Sequence, residues 1–178
     1  MDRSTPGRIM LVLFTAFFML MIAIPFLYPY GSFTDLGGTA GVIENWDALA
    51  FANPLTRTVY SIGDLFCHQE MPRSFIINGS QMAFCQRDVC VLAGFIVGLL
   101  ATDKKICPIY VGSRRFAIAG LLMTSLTFIE WGIELGFSVD VPAAKMATGV
   151  LTGIGIAAIV QYAVAKEYEK TMGFKKEV

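Results

Sequence analysis

From Ile9 to Thr34 the chain runs for 26 residues without a charged side chain. A helix needs about 20 mostly apolar residues to cross the hydrocarbon of a bilayer, so this stretch reads as a membrane span over about 9–30. Arg3 and Arg8 precede it, and Tyr28, Tyr30 and Phe33 stand where an aromatic belt would lie. Pro25 and Pro29 end the helix near Tyr28. The stretch is longer than the apolar core of a signal peptide and lacks an A-x-A cleavage site, so it is expected to be retained.

The rest of the 178 residues has the same character: 55% are hydrophobic, 16% charged, and mean hydropathy is +0.61. Such a composition excludes a disordered chain and leaves too few charges to cover a water-soluble surface. Lysine plus arginine and aspartate plus glutamate number 14 each, so no charge excess points to nucleic acid.

Three more spans are expected, giving an all-α, four-transmembrane-helix bundle in a single membrane domain. Only Val89–Thr102 is uncharged between Asp88 and Asp103. That covers about 21 Å at helical rise, short of the ~30 Å hydrocarbon core. The second span is therefore expected to start near Met82 and run over about 82–102, drawing Arg87 and Asp88 below the membrane surface. The third (116–137) carries Glu130 and Glu134, four apart on one face. The fourth (141–165) carries Lys145, and a turn around Ser138 to Asp140 joins the two. Gly94/Gly98 and Gly149/Gly153, with Gly155, let helix backbones approach closely.

Orientation follows from the basic residues. With both termini in the cytoplasm of a cell-membrane protein, ten lie inside: Arg3, Arg8, Lys104, Lys105, Arg114, Arg115, Lys166, Lys170, Lys175 and Lys176. Four lie outside or in the outer membrane zone: Arg57, Arg73, Arg87 and Lys145.

Residues 35–81 then form an outer segment. Gly37-Gly38 is a turn signal, and a helix after Asn45 is broken at Asn53-Pro54. From there Leu55, Val59, Ile62 and Phe66 fall at helical spacing, opposite Arg57, Ser61 and Asp64. The pattern predicts an amphipathic helix on the outer membrane surface, or one that caps the bundle. Asn78-Gly79 predicts a tight turn, and Asn78-Gly79-Ser80 is a glycosylation triplet on the same side.

Cys67, His68, Cys85 and Cys90 fall within 24 residues and include the one histidine of the chain. Three chemistries fit them. Thiolate and imidazole are zinc ligands, so Cys67, His68 and Cys85 could hold a metal ion with Asp88 or Cys90 as the fourth ligand. An outward-facing Cys67–Cys85 disulfide is the second, and it leaves an odd thiol for exchange. Small buried cysteines beside a satisfied histidine are the third. Cys107, in the basic cytoplasmic loop, is expected to stay reduced.

Ionisable groups in membrane helices are costly and usually paired. Glu130 is 15 residues beyond Arg115, about 22 Å along a helix from the inner end. Glu134, Arg87, Asp88 and Lys145 share its outer third of the bilayer. As a site these residues place Arg73, Arg87, Glu134 and Lys145 around the Cys–His cluster, with Glu130 as a candidate base. As structure they are a polar latch that fixes helix register. A lone histidine excludes bis-histidine haem, and no nucleotide-binding motif is present.

The string Cys67-His68-Gln69, Arg73-Ser74-Phe75, Gly79, Gln81-Met82 and Cys85-Gln86-Arg87-Asp88 resembles the membrane-protein family known as domain of unknown function 2085. Glu130-Trp131-Gly132, and Lys145 with Thr148-Gly149, resemble its later part. The likeness spans about 60–155. Cys90 stands where the family more often has glycine, and Lys145 where it more often has arginine. The resemblance implies a functional centre at Cys67, His68, Arg73, Cys85, Arg87 and Asp88, with no activity attached. Two other classes compete with a zinc-binding membrane protein. One is a thiol–disulfide oxidoreductase working with quinone, as in the DsbB type, although the chain has no C-x-x-C. The other is an accessory subunit of a larger membrane complex or a homo-oligomer.

Overall fold

In the computed structural model the described residues are 5–103, 111–137 and 141–174. Cys107, the turn at 138–140 and the basic residues Lys104 and Lys105 lie outside them. The chain is mostly helical: α1 (Thr5–Ala23), α2 (Pro54–Phe66), α3 (Gln86–Ala101), α4 (Arg114–Phe137) and α5 (Pro142–Phe174). The all-α expectation is corrected by one small antiparallel sheet, β1 (Ser74–Ile77) with β2 (Ser80–Cys85).

Among the described residues three helical stretches are long and apolar enough to cross a membrane: Thr5–Leu27, Arg114–Phe137 and Pro142–Thr171. The second expected span differs from its prediction. Its helix starts at Gln86, not near Met82, and its 16 residues rise about 24 Å. Asn78 and Gly79 both take positive φ, 52° and 66°. That is the turn which reverses a tight hairpin, and it pairs Ile77 with Ser80 and Ser74 with Cys85. Residues 80–85 are thereby committed to a strand.

Contacts divide the chain into two compact units, 16–89 and 1–15 with 90–178. In the second of these, glycines seat helix on helix. A Cβ on Gly94 would strike the Val150 carbonyl, and one on Gly153 the Val91 carbonyl. Gly120 and Gly155 press α4 on α5, where Thr127 also bonds Thr152 and the Thr148 carbonyl. Phe95, Leu99 and Ala157 form the core. Along its apolar window α4 is only 6% buried, so its flanks stand ready for lipid. Arg8 grips Asp103 through Nε and Nη2, at 2.8 and 3.0 Å.

The unit of residues 16–89 carries the hairpin and α2. Pro54 opens α2, and the Asn53 side chain caps it by accepting from the Thr56 amide at 2.8 Å. Thr56, Val59, Tyr60, Ser61, Gly63 and Asp64 are buried, while Leu55 and Phe66 are 54% and 72% exposed. The burial of its polar residues has a polar cause. Asp64 accepts from the Asn45 side chain at 2.6 Å and from the Asn45 amide at 3.1 Å, and these bonds anchor the loop before α2 beneath the helix. Phe33 stacks on Tyr60 and Phe51 in the same core.

The glycosylation triplet is engaged internally. Asn78 Nδ2 donates to the Pro25 and Tyr28 carbonyls at 2.9 and 3.2 Å, and Ser80 is fully buried. The amide that would carry a sugar thus ties the hairpin to the end of the first apolar stretch.

Candidate metal centre

The last residue before α3, Cys85, and the third residue of that helix, Asp88, are three apart and face each other across its first turn. The Cys85 thiol donates to Asp88 Oδ2 at 2.8 Å. Asp88 is well placed there, since the amino end of a helix favours negative charge. Cys67 comes from the other direction. It terminates α2, its amide donating to the Gly63 carbonyl at 2.8 Å, and its side chain is buried. The ligand atoms of Cys67, Cys85 and Asp88 lie within 4.8 Å of one another.

Two devices set this spacing. A Cβ on Gly63 would overlap the Ala83 carbonyl, so α2 rests directly on β2 one turn before Cys67 and two residues before Cys85. Gln69 then braces the pair: its Nε2 donates to the Tyr60 and Ala83 carbonyls at 2.8 and 2.9 Å. The Gln81 amide bonds the Gln69 carbonyl in turn, and Tyr60 donates its hydroxyl to the Gln81 carbonyl at 2.7 Å. Gln69 sits in the left-handed region at φ 48°, a conformation that needs such over-determination in a residue with a side chain.

Neither glutamine, nor Gly63, is among the residues singled out from the sequence as site residues. A signal for one glutamine is present in it: Gln81 opens the apolar run Gln81-Met82-Ala83-Phe84, whereas Gln69 lies among polar and charged neighbours. Nothing marks Gly63, because the contact it permits is long-range.

Burial and charge separate the two thiols. Its hydrogen-bonding contact with Cys85 holds the Cys67 thiol below the ordinary thiol range, against the opposing effect of burial, with help from the Gln69 amide. Cys85 is pushed up by that same contact, by burial and by the negative charge of Asp88.

His68 does not join this group. Cys67 is extended, with φ −141° and ψ 149°, so successive side chains point to opposite sides. Cys67 and Gln69 turn inward, and His68 is exposed with Nδ1 3.0 Å from the Gly38 carbonyl and 3.4 Å from the Ala40 amide. Arg73 pairs with Glu70 at 3.3 Å, and Arg87 stands in the first turn of α3. Cys90, Glu130, Glu134 and Lys145 belong to the other unit. There Lys145 Nζ donates to Glu134 Oε1 at 2.7 Å, with the two side chains 9% and 16% exposed. Among the described residues the cysteines Cys67, Cys85 and Cys90 are free thiols.

This is a membrane protein with a dithiol–carboxylate cluster. The profile of the predicted membrane proteins of DUF2085 matches residues 67–159, and the chain belongs to that family. The match begins at Cys67 and contains all three clustered residues. An uncharacterised protein of Methanocaldococcus jannaschii is 29% identical over 114 residues. That alignment covers 63% of this chain and 65% of the relative, a little less than two thirds of its length. No solved structure matches the chain.

Proposed function

We propose that the protein is a four-span membrane protein that holds a zinc ion at its extracytoplasmic face through Cys67, Cys85 and Asp88. The observation that carries this reading is the convergence of two sulfurs and one carboxylate from three separate elements to within 4.8 Å. Two thiolates around zinc at 2.3 Å stand about 3.8 Å apart in a tetrahedron, so only small side-chain rotations separate this arrangement from a bound one. Two sulfurs with one oxygen suit zinc better than magnesium or calcium, which take oxygen ligands. Three protein ligands leave one tetrahedral position for water or for a substrate group, as in zinc sites that act on bound molecules.

In the same reading α3 is the short fourth crossing, both termini are cytoplasmic, and the exposed apolar flank of α2 meets the outer membrane surface. Ten basic residues against four support that orientation. Metal analysis of the purified, reduced chain tests the centre. One zinc per chain is expected, and Cys67→Ser or Cys85→Ser should abolish it. A protein that takes up no metal from zinc-containing buffer would overturn the reading.

A further inference from the structure

The two sulfurs that would face a metal ion also face each other, and a sulfur used in one bond is lost to the other. We infer that Cys67 and Cys85 form a dithiol that a hydroperoxide oxidises to a disulfide, and that this oxidation expels the ion from the site. What is expelled rests on the zinc reading above; the dithiol chemistry rests on the placement of the sulfurs alone.

Burial selects the oxidant. Cys67 is 7% exposed, which shuts out the disulfide of another protein but admits hydrogen peroxide, a molecule scarcely larger than water. The Cys67 sulfur attacks one peroxide oxygen, the O–O bond breaks, and hydroxide leaves, giving a sulfenic acid on Cys67. The Cys85 sulfur then attacks the oxidised sulfur, and the S–O bond breaks as the S–S bond forms. In the metal-free dithiol the proton of Cys85 already lies on the path to Asp88 Oδ2 at 2.8 Å, so the carboxylate can relay it to the departing oxygen, and two thiols and one peroxide become one disulfide and two waters. With zinc bound both sulfurs are thiolates, and the same two-electron oxidation gives the disulfide, the released zinc ion and two hydroxides, which take up protons from solvent. A sulfenic acid beside a second thiol is the arrangement that gives a reversible disulfide instead of over-oxidation.

The seat of Gly63 on Ala83 and the brace from Gln69 hold the end of α2 against the end of β2, and so keep the two sulfurs near one another. After oxidation Asp88 is the one member of the cluster still able to ligate, and a lone carboxylate cannot retain zinc against water.

The test uses the full chain in detergent, reduced and loaded with zinc, then treated with a small excess of hydrogen peroxide. A chromophoric chelator reads released zinc, and mass spectrometry of proteolytic peptides reads the thiols. The expected result is release of the bound zinc together with a peptide linking Cys67 to Cys85, lighter by two hydrogens, both reversed by dithiothreitol. Cys90→Ser should change neither signal. Bound zinc that stays in place, or thiols that reach sulfinic acid or link to another cysteine, would overturn the inference and leave the zinc reading intact. A reduced chain that takes up no zinc would overturn that reading and the release step together.

Discussion

Asp88 Oδ2 accepts the Cys85 thiol at 2.8 Å, which puts a carboxylate beside one member of a thiol pair, while the other member, Cys67, accepts from the Gln69 amide at 3.5 Å. The two sulfurs are therefore inequivalent in charge before any ligand arrives.

Their titration should show it. Cys67 lies below and Cys85 above the ordinary thiol range, and the Asp88 charge raises both. As pH rises, Cys67 should begin to react with iodoacetamide at lower pH than Cys85. Asp88→Asn should move both midpoints to lower pH, since it removes the repulsion of each thiolate. Peptide-resolved alkylation measures this, and midpoints that stay put in the variant would contradict the arrangement.

Gly63→Ala should weaken the fold by about 1–3 kcal/mol, the usual cost of forcing a methyl into a closed contact. The added carbon meets the backbone of β2 at Ala83, which cannot swing aside as a side chain would. A lowered Tm and weaker zinc retention are expected together, because the same contact sets the spacing of Cys67 and Cys85.

Gln69→Leu should remove the donor shared by the buried Tyr60 and Ala83 carbonyls. A buried group left unsatisfied costs about 1–3 kcal/mol, and leucine adds strain at a left-handed φ. Denaturation of the detergent-solubilised protein should register both losses, and a neutral outcome would mean that the brace is dispensable.

His68→Ala should leave zinc stoichiometry unchanged, because the imidazole is turned toward Gly38 and away from the sulfurs. Loss of the ion in this variant would show that the ring swings in to ligate.

Lys145→Met should lower stability, since it removes the 2.7 Å ion pair to Glu134 in a mostly buried position. With Glu134→Leu alone and the double variant Lys145→Met with Glu134→Leu, thermal unfolding of the three variants completes a cycle, and the double variant should lose less than the sum of the two single losses.

Much of this was legible in the residues themselves. The uncharged run after Arg8 and the apolar periods of α4 and α5 announce helices because apolar length is a local property. Asn78-Gly79 announces its turn for the same reason, whereas Cys85 meets Asp88 from the end of a strand and not from a shared helix face. What could not be read depends on pairing across the chain. The hairpin captured residues 80–85 and shortened α3, and Asn45 drew Asp64 inward, burying polar residues of α2. His68 was grouped with Cys67 on proximity in sequence, yet extended backbone places neighbours on opposite sides.

That outward turn of the one imidazole has a practical consequence. Its two ring carbon protons come from the one histidine of the chain, on the residue next to the buried sulfur at position 67. The molecule thus carries its own reporter, able to register events at the thiol pair without taking part in them.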